Sequence, residues 1–186
     1  MTLKPAFSKI EEPEYQILSR ENNIEIRQYN KMIIAETVLY ASRKEAVKQG
    51  FRILADYIFG ANEQELKIAM TAPVKQKIAK VRFNLAAQEK WQISFVMPSK
   101  FQFADLPKTN NKAITLKEIA AKKYLVIKFN GLASVNKLND QLTTLLNYSK
   151  KNKLKTTEIV IFAFYNPPWT LPFSRRNEIM LELSSN

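Results

Sequence analysis

The sequence predicts an α+β fold in which two related halves share one sheet or barrel. Short runs of alternating apolar and polar residues predict strands, and two longer runs with apolar residues three and four positions apart predict helices. The order strand, strand, helix, strand, strand occurs over about residues 24–97 and again over about residues 114–183. This period is too long for a solenoid, so it indicates two halves built around one core.

The chain opens with a predicted antiparallel hairpin. Tyr15–Ser19 and Ile24–Tyr29 alternate like strands, and Asn22 and Asn23 lie between them. Asparagine tolerates the left-handed conformations that a tight hairpin turn requires. Met32–Tyr40 is predicted as a third strand.

A helix is predicted next. Ser42 with Glu45 three residues later has the pattern of a capping box, and Gly60 marks the expected end of the helix. The apolar residues repeat at helical spacing and therefore share one face, which we expect to pack on the sheet. They are Val47, Gly50, Phe51, Leu54 and Ile58.

Three further strands complete the first half, followed by a polar loop that runs to Asn111. Pro73 lies at a break between strands, where a missing amide donor is tolerated. The predicted strands are Lys67–Met70, Ile78–Leu85 and Trp91–Met97.

The second half repeats this order, with Ser134 in the position that Ser42 holds in the first half. Its helix carries apolar residues at helical spacing: Val135, Leu138, Leu142 and Leu145. Its predicted strands are Ile114–Ile119, Lys122–Phe129, Ile159–Tyr165 and Asn177–Leu183.

The 186 residues fit a single domain. We expect an N-terminal tail over residues 1–11 and one domain over residues 12–186. Neither a signal peptide nor an apolar run of membrane-spanning length is recognisable. The sequence therefore predicts a soluble, cytoplasmic protein, which we expect to be monomeric.

The absence of two residue types excludes several kinds of chemistry. The chain contains no cysteine, so it has neither disulfides nor thiolate metal sites, and it contains no histidine. Catalytic triads with histidine and zinc sites that use histidine are therefore excluded. No pair of carboxylates has a spacing that indicates acid/base catalysis, so we expect a protein that is not an enzyme.

The net charge of +12 favours anionic partners. A membrane surface is one such partner. The lysines near residues 150–155 could contact phosphates, but cations also complement the C-terminal end of a helix. No Gly-rich phosphate loop, zinc finger or RNA-binding signature accompanies them, so we expect no specific nucleic-acid partner.

Three segments could form a binding site. The outer stripe of the first helix mixes cations with apolar groups and would suit a small flat apolar ligand with carboxylate arms, although a solvated basic face has the same pattern. The loop after Tyr165 presents Trp169 and Phe173, as a ligand wall or as a plug over the core. Ile68–Val74 surrounds Met70, which fills core gaps more often than it binds a metal.

These pieces resemble the SOUL haem-binding family from about Glu12 to Leu183. The resemblance is carried by Ile24–Tyr29, by Lys67–Val74 after the first helix, and by Tyr165–Pro168 leading to Arg175–Glu178. It implies a pseudo-twofold, distorted antiparallel β-barrel with two flanking helices. It also implies a relation to the effector-binding domains of some bacterial drug-responsive regulators.

The resemblance further implies that haem or another tetrapyrrole lies over the first helix and is contacted by the loop after the paired prolines. The corresponding positions are Lys48, Phe51, Arg52, Ala55 and Trp169. We therefore hypothesise a non-catalytic binding protein for haem or a porphyrin. Two alternatives remain open at this stage, a sensor or carrier of another lipophilic molecule and a protein that interacts through its basic surface.

Two departures from the family concern the iron. Gln28 stands where some members carry an axial histidine, and Asp56 stands where a relative offers a cation. Because the chain contains no histidine, histidine cannot ligate the iron. The iron would then be unligated by the protein, or held by Tyr29, by a methionine such as Met70, or by a lysine.

Overall fold

The computed structural model describes residues 10–80, 84–85, 87–167 and 169–184. In this part of the chain nine strands form one sheet, and two α-helices pack on it. The elements are β1 (Tyr15–Glu21), β2 (Ile24–Tyr29), β3 (Met32–Ser42), α1 (Arg43–Ile58), β4 (Val74–Ile78), β5 (Gln88–Val96), β6 (Thr115–Ile119), β7 (Lys122–Asn130), α2 (Val135–Lys151), β8 (Thr156–Phe164) and β9 (Arg176–Leu183).

The strand order has a pseudo-twofold axis between β8 and β4. The sheet runs β1-β2-β7-β9-β8-β4-β5-β3-β6, and each neighbouring pair is antiparallel. Moving outward from the axis, β8, β9, β7 and β2 on one side match β4, β5, β3 and β6 on the other. The edge strands β1 and β6 do not pair with each other in the described residues, so the barrel is open. The predicted fold class is confirmed.

Each half supplies a strand to the other half. β2 precedes α1 in the chain but pairs with β7, and β6 belongs to the second half but pairs with β3. The predicted limits of the tail, of the domain and of the two halves stay predictions.

Both helices lie on the same face of the sheet and begin as the sequence predicts. The hydroxyl oxygens of Ser42 and Ser134 accept hydrogen bonds from the backbone amides of Glu45, at 3.4 Å, and Lys137, at 3.2 Å. α1 packs on β3 and β5, and α2 packs on β7 and β9. Between helices and sheet lies the main core, in which the rings of Trp91 and Phe162 are 6.1 Å apart.

The segment after α1 differs from the prediction. Lys67–Met70 is not a strand, and the next strand, β4, ends where the predicted strand Ile78–Leu85 begins. Of that predicted strand, residues 81–83 lie outside the described part of the chain. The Asn62 side chain bonds to the backbone of Leu66, and the Ile68 amide donates to the Ile58 carbonyl. These bonds hold the segment against the end of α1 instead of along a strand.

Candidate ligand-binding site

The outer face of α1 carries an exposed apolar strip. Phe51, Ala55 and Phe59 follow one another at four-residue spacing and therefore lie on one side of the helix. The side chains of Phe51 and Phe59 are 41% and 62% exposed, whereas Ala55 is only 8% exposed. Because the Ala55 side chain is only a methyl group, the helix surface is recessed between the phenyl rings of Phe51 and Phe59.

Phe51 is held in place from below. Its ring packs edge to face on the ring of Phe95 in β5, with the centroids 5.3 Å apart. Phe95 is buried in the core beneath the helix. The exposed edge of Phe51 is therefore a preorganised contact surface, because the ring does not have to be immobilised when a ligand arrives.

Cations flank this strip. Lys44, Lys48 and Arg52 are exposed, and none of them forms an ion pair within the described residues. Asp56 is one helical turn after Arg52 but does not pair with it. Three cations thus remain available to an anionic group beside the strip.

Trp169 does not belong to α1. This residue is 83% exposed in the loop between β8 and β9. The loop is tied to β7, because the Asn130 side chain donates to the Phe173 carbonyl at 3.4 Å, and to itself, because Arg175 donates to the Thr170 carbonyl at 2.8 Å. The predicted role of Trp169 beside the four helix residues stays a prediction.

Of the residues considered as iron ligands, Tyr29 and Met70 do not lie on the outer face of α1, whereas the lysines Lys44 and Lys48 do. Tyr29 is buried on the sheet face opposite the helices, and its hydroxyl accepts a hydrogen bond from Arg27 at 2.9 Å. Burial raises the pKa of Tyr29 to about 12. Met70 packs against the main core, and the Gln28 side chain donates to the Tyr29 carbonyl. In the described residues no cluster of acidic side chains could hold a metal ion.

Sequence reasoning missed a buried ionic network on that opposite face. Arg27 donates to Glu25 at 2.6 Å and to both oxygens of Glu178, at 2.9 and 3.0 Å. The Tyr165 hydroxyl also donates to Glu178, at 2.7 Å, and Arg176 donates to it at 3.2 Å. The alternation of Glu25, Arg27 and Tyr29 along β2 was the available signal, because residues two apart in a strand share a face.

The charges of this network stabilise one another. Burial opposes ionisation of Glu25, but the hydrogen bond and charge of Arg27 outweigh it and hold the Glu25 pKa below its usual value. Burial also acts to lower the pKa of Arg27, and the attraction of Glu178 more than reverses this effect. The opposite charges of Arg27, Glu25 and Glu178 therefore compensate one another inside the protein.

A cleft of about 1360 Å³ opens at one end of the barrel, away from the outer face of α1. Its walls come from the segment before β1, the β2–β3 turn, Thr71, the end of β5 with the loop after it, and the β6–β7 turn. Apolar lining residues include Met32, Ile33, Val96, Met97 and Phe101. The sequence offered no signal for this cleft because five separate segments form it.

None of the helices in the described part of the chain has both the length and the apolar character needed to cross a membrane.

Comparison with protein families and curated proteins gives consistent results. The family model described as SOUL heme-binding protein matches residues 10–182. Heme-binding protein 2 of Homo sapiens is 33% identical over 137 residues, which are 73% of this chain and 65% of that protein. Heme-binding protein 1 of Bos taurus is 26% identical over 141 residues, which are 76% of this chain and 72% of that protein. The match therefore spans somewhat less than two thirds of the human relative.

Solved structures share the fold at low sequence identity. The C-terminal domain of EcmrR superposes with a TM-score of 0.70 at 12% identity, over 92% of this chain and 99% of that one. A hydrolase from Listeria innocua superposes with a TM-score of 0.63 at 10% identity, over 90% of this chain and 94% of that one. At these identities the likeness concerns the fold alone.

Proposed function

Because the chain belongs to the SOUL haem-binding protein family, we propose that it binds haem or a related tetrapyrrole and does not catalyse a reaction. The proposed site is the outer face of α1, with Lys48, Phe51, Arg52 and Ala55, and with Trp169 as a further wall. The observation that carries this proposal is the exposed apolar strip, with a methyl group between two phenyl rings and free cations beside it.

The chemistry of this surface suits a porphyrin ring. A flat ring laid over Ala55 would remove apolar surface of Phe51 and Phe59 from water, at about 25 cal/mol per Å². Lys48 and Arg52 would pair with the propionates, and arginine offers the planar donor pair that matches a carboxylate. The lysines at the end of α2 need no ligand to explain their position, because cations stabilise a helix C-terminus.

The residues fit the ring better than they fit the iron. A metal-bound haem usually takes an axial histidine, cysteine, methionine or tyrosine ligand, and the strip on α1 contains none of these. We therefore propose that binding depends on the ring and its carboxylates and not on iron ligation. Metal-free protoporphyrin is then expected to bind about as tightly as hemin.

Titration with hemin and with protoporphyrin tests this proposal. We expect a saturable change in the Soret band, and we expect Phe51→Asp to weaken binding at least about tenfold, because it places a charge under the ring and removes apolar contact. Tyr40→Asp is the matched control, since Tyr40 is an exposed aromatic residue of β3 outside the proposed site. Absence of saturation, or equal affinity of Phe51→Asp and wild type, would show that the proposal is wrong.

We also propose that this ligand, and not nucleic acid, is the partner of the basic face, and that the protein acts as a monomer. The exposed cations of α1 lie beside the phenyl rings of Phe51 and Phe59, and a tetrapyrrole offers both an apolar ring and carboxylates to such a surface. Nucleic-acid binding that falls steeply with added salt would favour the alternative.

A further inference from the structure

Lys75 occupies the centre of the sheet face that points away from the helices. Its Cα partners are Ser94 in β5 and Ala163 in β8, and the next strands outward carry Glu36 and Glu178. Neighbouring strands are about 4.8 Å apart, so each carboxylate-bearing residue begins about 10 Å away along the sheet. The two immediate neighbours are small, which leaves the lysine side chain free to extend over the face.

The Lys75 amine is buried without an anionic partner. The residue is only 8% exposed. Its Nζ lies 3.5 Å from Sδ of Met32 and 5.6 Å from the centre of the Tyr29 ring. A thioether is a weak hydrogen-bond acceptor, and no carboxylate within the described residues is in ion-pair distance of this amine.

The nearby carboxylates are occupied by other cations. Glu178 accepts hydrogen bonds from Arg27, Arg176 and Tyr165, and Glu36 pairs with Lys117. Burial lowers the pKa of Lys75 to about 8, with a smaller opposing effect of Glu178. The amine therefore still carries most of its charge at neutral pH, which is costly in an apolar interior without a partner.

Lys75 does not line the cleft at the end of the barrel, but its amine contacts a residue that does. Met32, which contacts Nζ of Lys75, is one of the residues that line the cleft. Methionine is unbranched and flexible, so its side chain can move aside for a group that enters the cleft. Four carboxylates lie at the rim: Glu11 accepts from the Ser99 amide, Glu12 pairs with Arg176, Glu14 accepts from the Asn30 side chain, and the fourth is Glu118.

We infer that this cleft is a second binding site, for a ligand with one anionic head on an apolar body, and that the head pairs with Nζ of Lys75. The apolar body would lie along Val96, Met97 and Phe101. Two contributions favour binding of such a ligand: it buries apolar surface, and it supplies a counter-ion for the Lys75 amine. No residue of α1 lines the cleft, so the site does not depend on the strip on α1.

Fluorescence titration with a dansylated undecanoate and with its methyl ester tests the inference. Wild type is expected to bind the acid with saturation and to bind the uncharged ester at least about tenfold more weakly, as expected for the loss of a hydrogen bond to a charged group. Lys75→Met keeps the length and apolar character of the side chain and removes its charge. This variant is expected to bind the acid at least about tenfold more weakly and to lose the preference for acid over ester.

Two controls separate the site from other effects. Lys67→Met removes an exposed lysine and leaves the affinity unchanged, and Phe51→Asp removes the strip on α1 and also leaves it unchanged. A far-ultraviolet circular dichroism spectrum equal to that of wild type confirms that Lys75→Met is folded. Equal binding of acid and ester by wild type, or full affinity in Lys75→Met, overturns the inference. Loss of binding in Phe51→Asp overturns its independence from the haem site.

Discussion

Arg27 and Lys75 are buried cations on the same sheet face, and they differ in what surrounds them. Arg27 bonds to two carboxylates and to the Tyr29 hydroxyl. Lys75 has only a thioether and the face of an aromatic ring near its amine. Paired charges inside a protein are tolerated, whereas an unpaired one destabilises the fold. At the scale of single residues, we therefore expect Lys75 to lower the stability of the folded protein.

This contrast predicts a dependence of stability on pH. The folded pKa of Lys75 is about 8, below its ordinary value of 10.5, so between these values the unfolded chain binds more protons and the stability of wild type rises with pH. Lys75→Met lacks this group. It should be more stable than wild type by up to about 3 kcal/mol below pH 8, since one pKa unit corresponds to about 1.4 kcal/mol, and this advantage should vanish near pH 10.5.

Urea unfolding of both proteins at several pH values between about 7 and 10 measures this difference. The charged and titratable groups that face Lys75, namely Glu178, Glu36, Arg27 and Tyr29, are present in both proteins, and their effects cancel to first order. A difference in stability that does not change with pH would contradict a buried, unpaired amine.

At the scale of elements, the approach of α1 to the sheet depends on Gly50. A Cβ atom built at this position would lie 2.6 Å from Cγ1 of Ile93 and 2.8 Å from its Cβ. Carbon atoms do not approach so closely, so a larger residue would push α1 away from β5. The Phe51–Phe95 contact one residue further along would move with it.

Gly50→Ala should therefore destabilise the protein by about 1–3 kcal/mol through overpacking, although alanine favours a helix by about 1 kcal/mol over glycine. Ile93→Ala removes Cγ1, the closest of the clashing atoms, and keeps Cβ. In the double variant, Gly50→Ala should cost less than it does alone. Urea unfolding of the four proteins gives this coupling energy, and additive effects would contradict close contact between α1 and β5.

At the scale of the whole molecule, the two halves cannot be separated without breaking the sheet. β2 pairs with β7 and β6 pairs with β3, so each half holds a strand of the other. The core is shared as well, because Trp91 of β5 packs against Phe162 of β8. We expect one cooperative unit rather than two folding units.

A substitution in one half should then lower the stability reported from the other. Leu138 is fully buried in α2, and Leu138→Ala is expected to cost about 2–5 kcal/mol. With Trp169 replaced by Phe, Trp91 is the remaining tryptophan, and its fluorescence reports the first half. Its urea midpoint should fall with Leu138→Ala, and it should stay unchanged with Leu171→Ala, which alters an exposed loop residue. An unmoved midpoint in Leu138→Ala would indicate two independent units.

The sequence by itself determined the elements and their repeat. Local patterns can be recognised in a sequence without its structure. They include the alternation along β2 and β3, the serines at the starts of α1 and α2, and the helical spacing of apolar residues in both helices. The strand Lys67–Met70 was predicted wrongly because the Ile68 amide bonds to the Ile58 carbonyl at the end of α1, and the residues of this segment alone do not reveal that contact. The sequence also predicted which candidate site residues lie together on α1, because residues four apart in a helix share a face.

Only the tertiary structure decided how the halves exchange strands, where Trp169 lies, and that Lys75 is buried beside a cleft. Lys75 has no pattern around it that marks it as buried, since Val74–Ile78 carries two lysines in five residues. Its burial follows from the curvature of the sheet, which folds the β2–β3 turn over the centre of β4 and brings Met32 and Tyr29 to the amine. Pairing between distant strands sets that curvature, and a linear sequence contains no periodic signal for it.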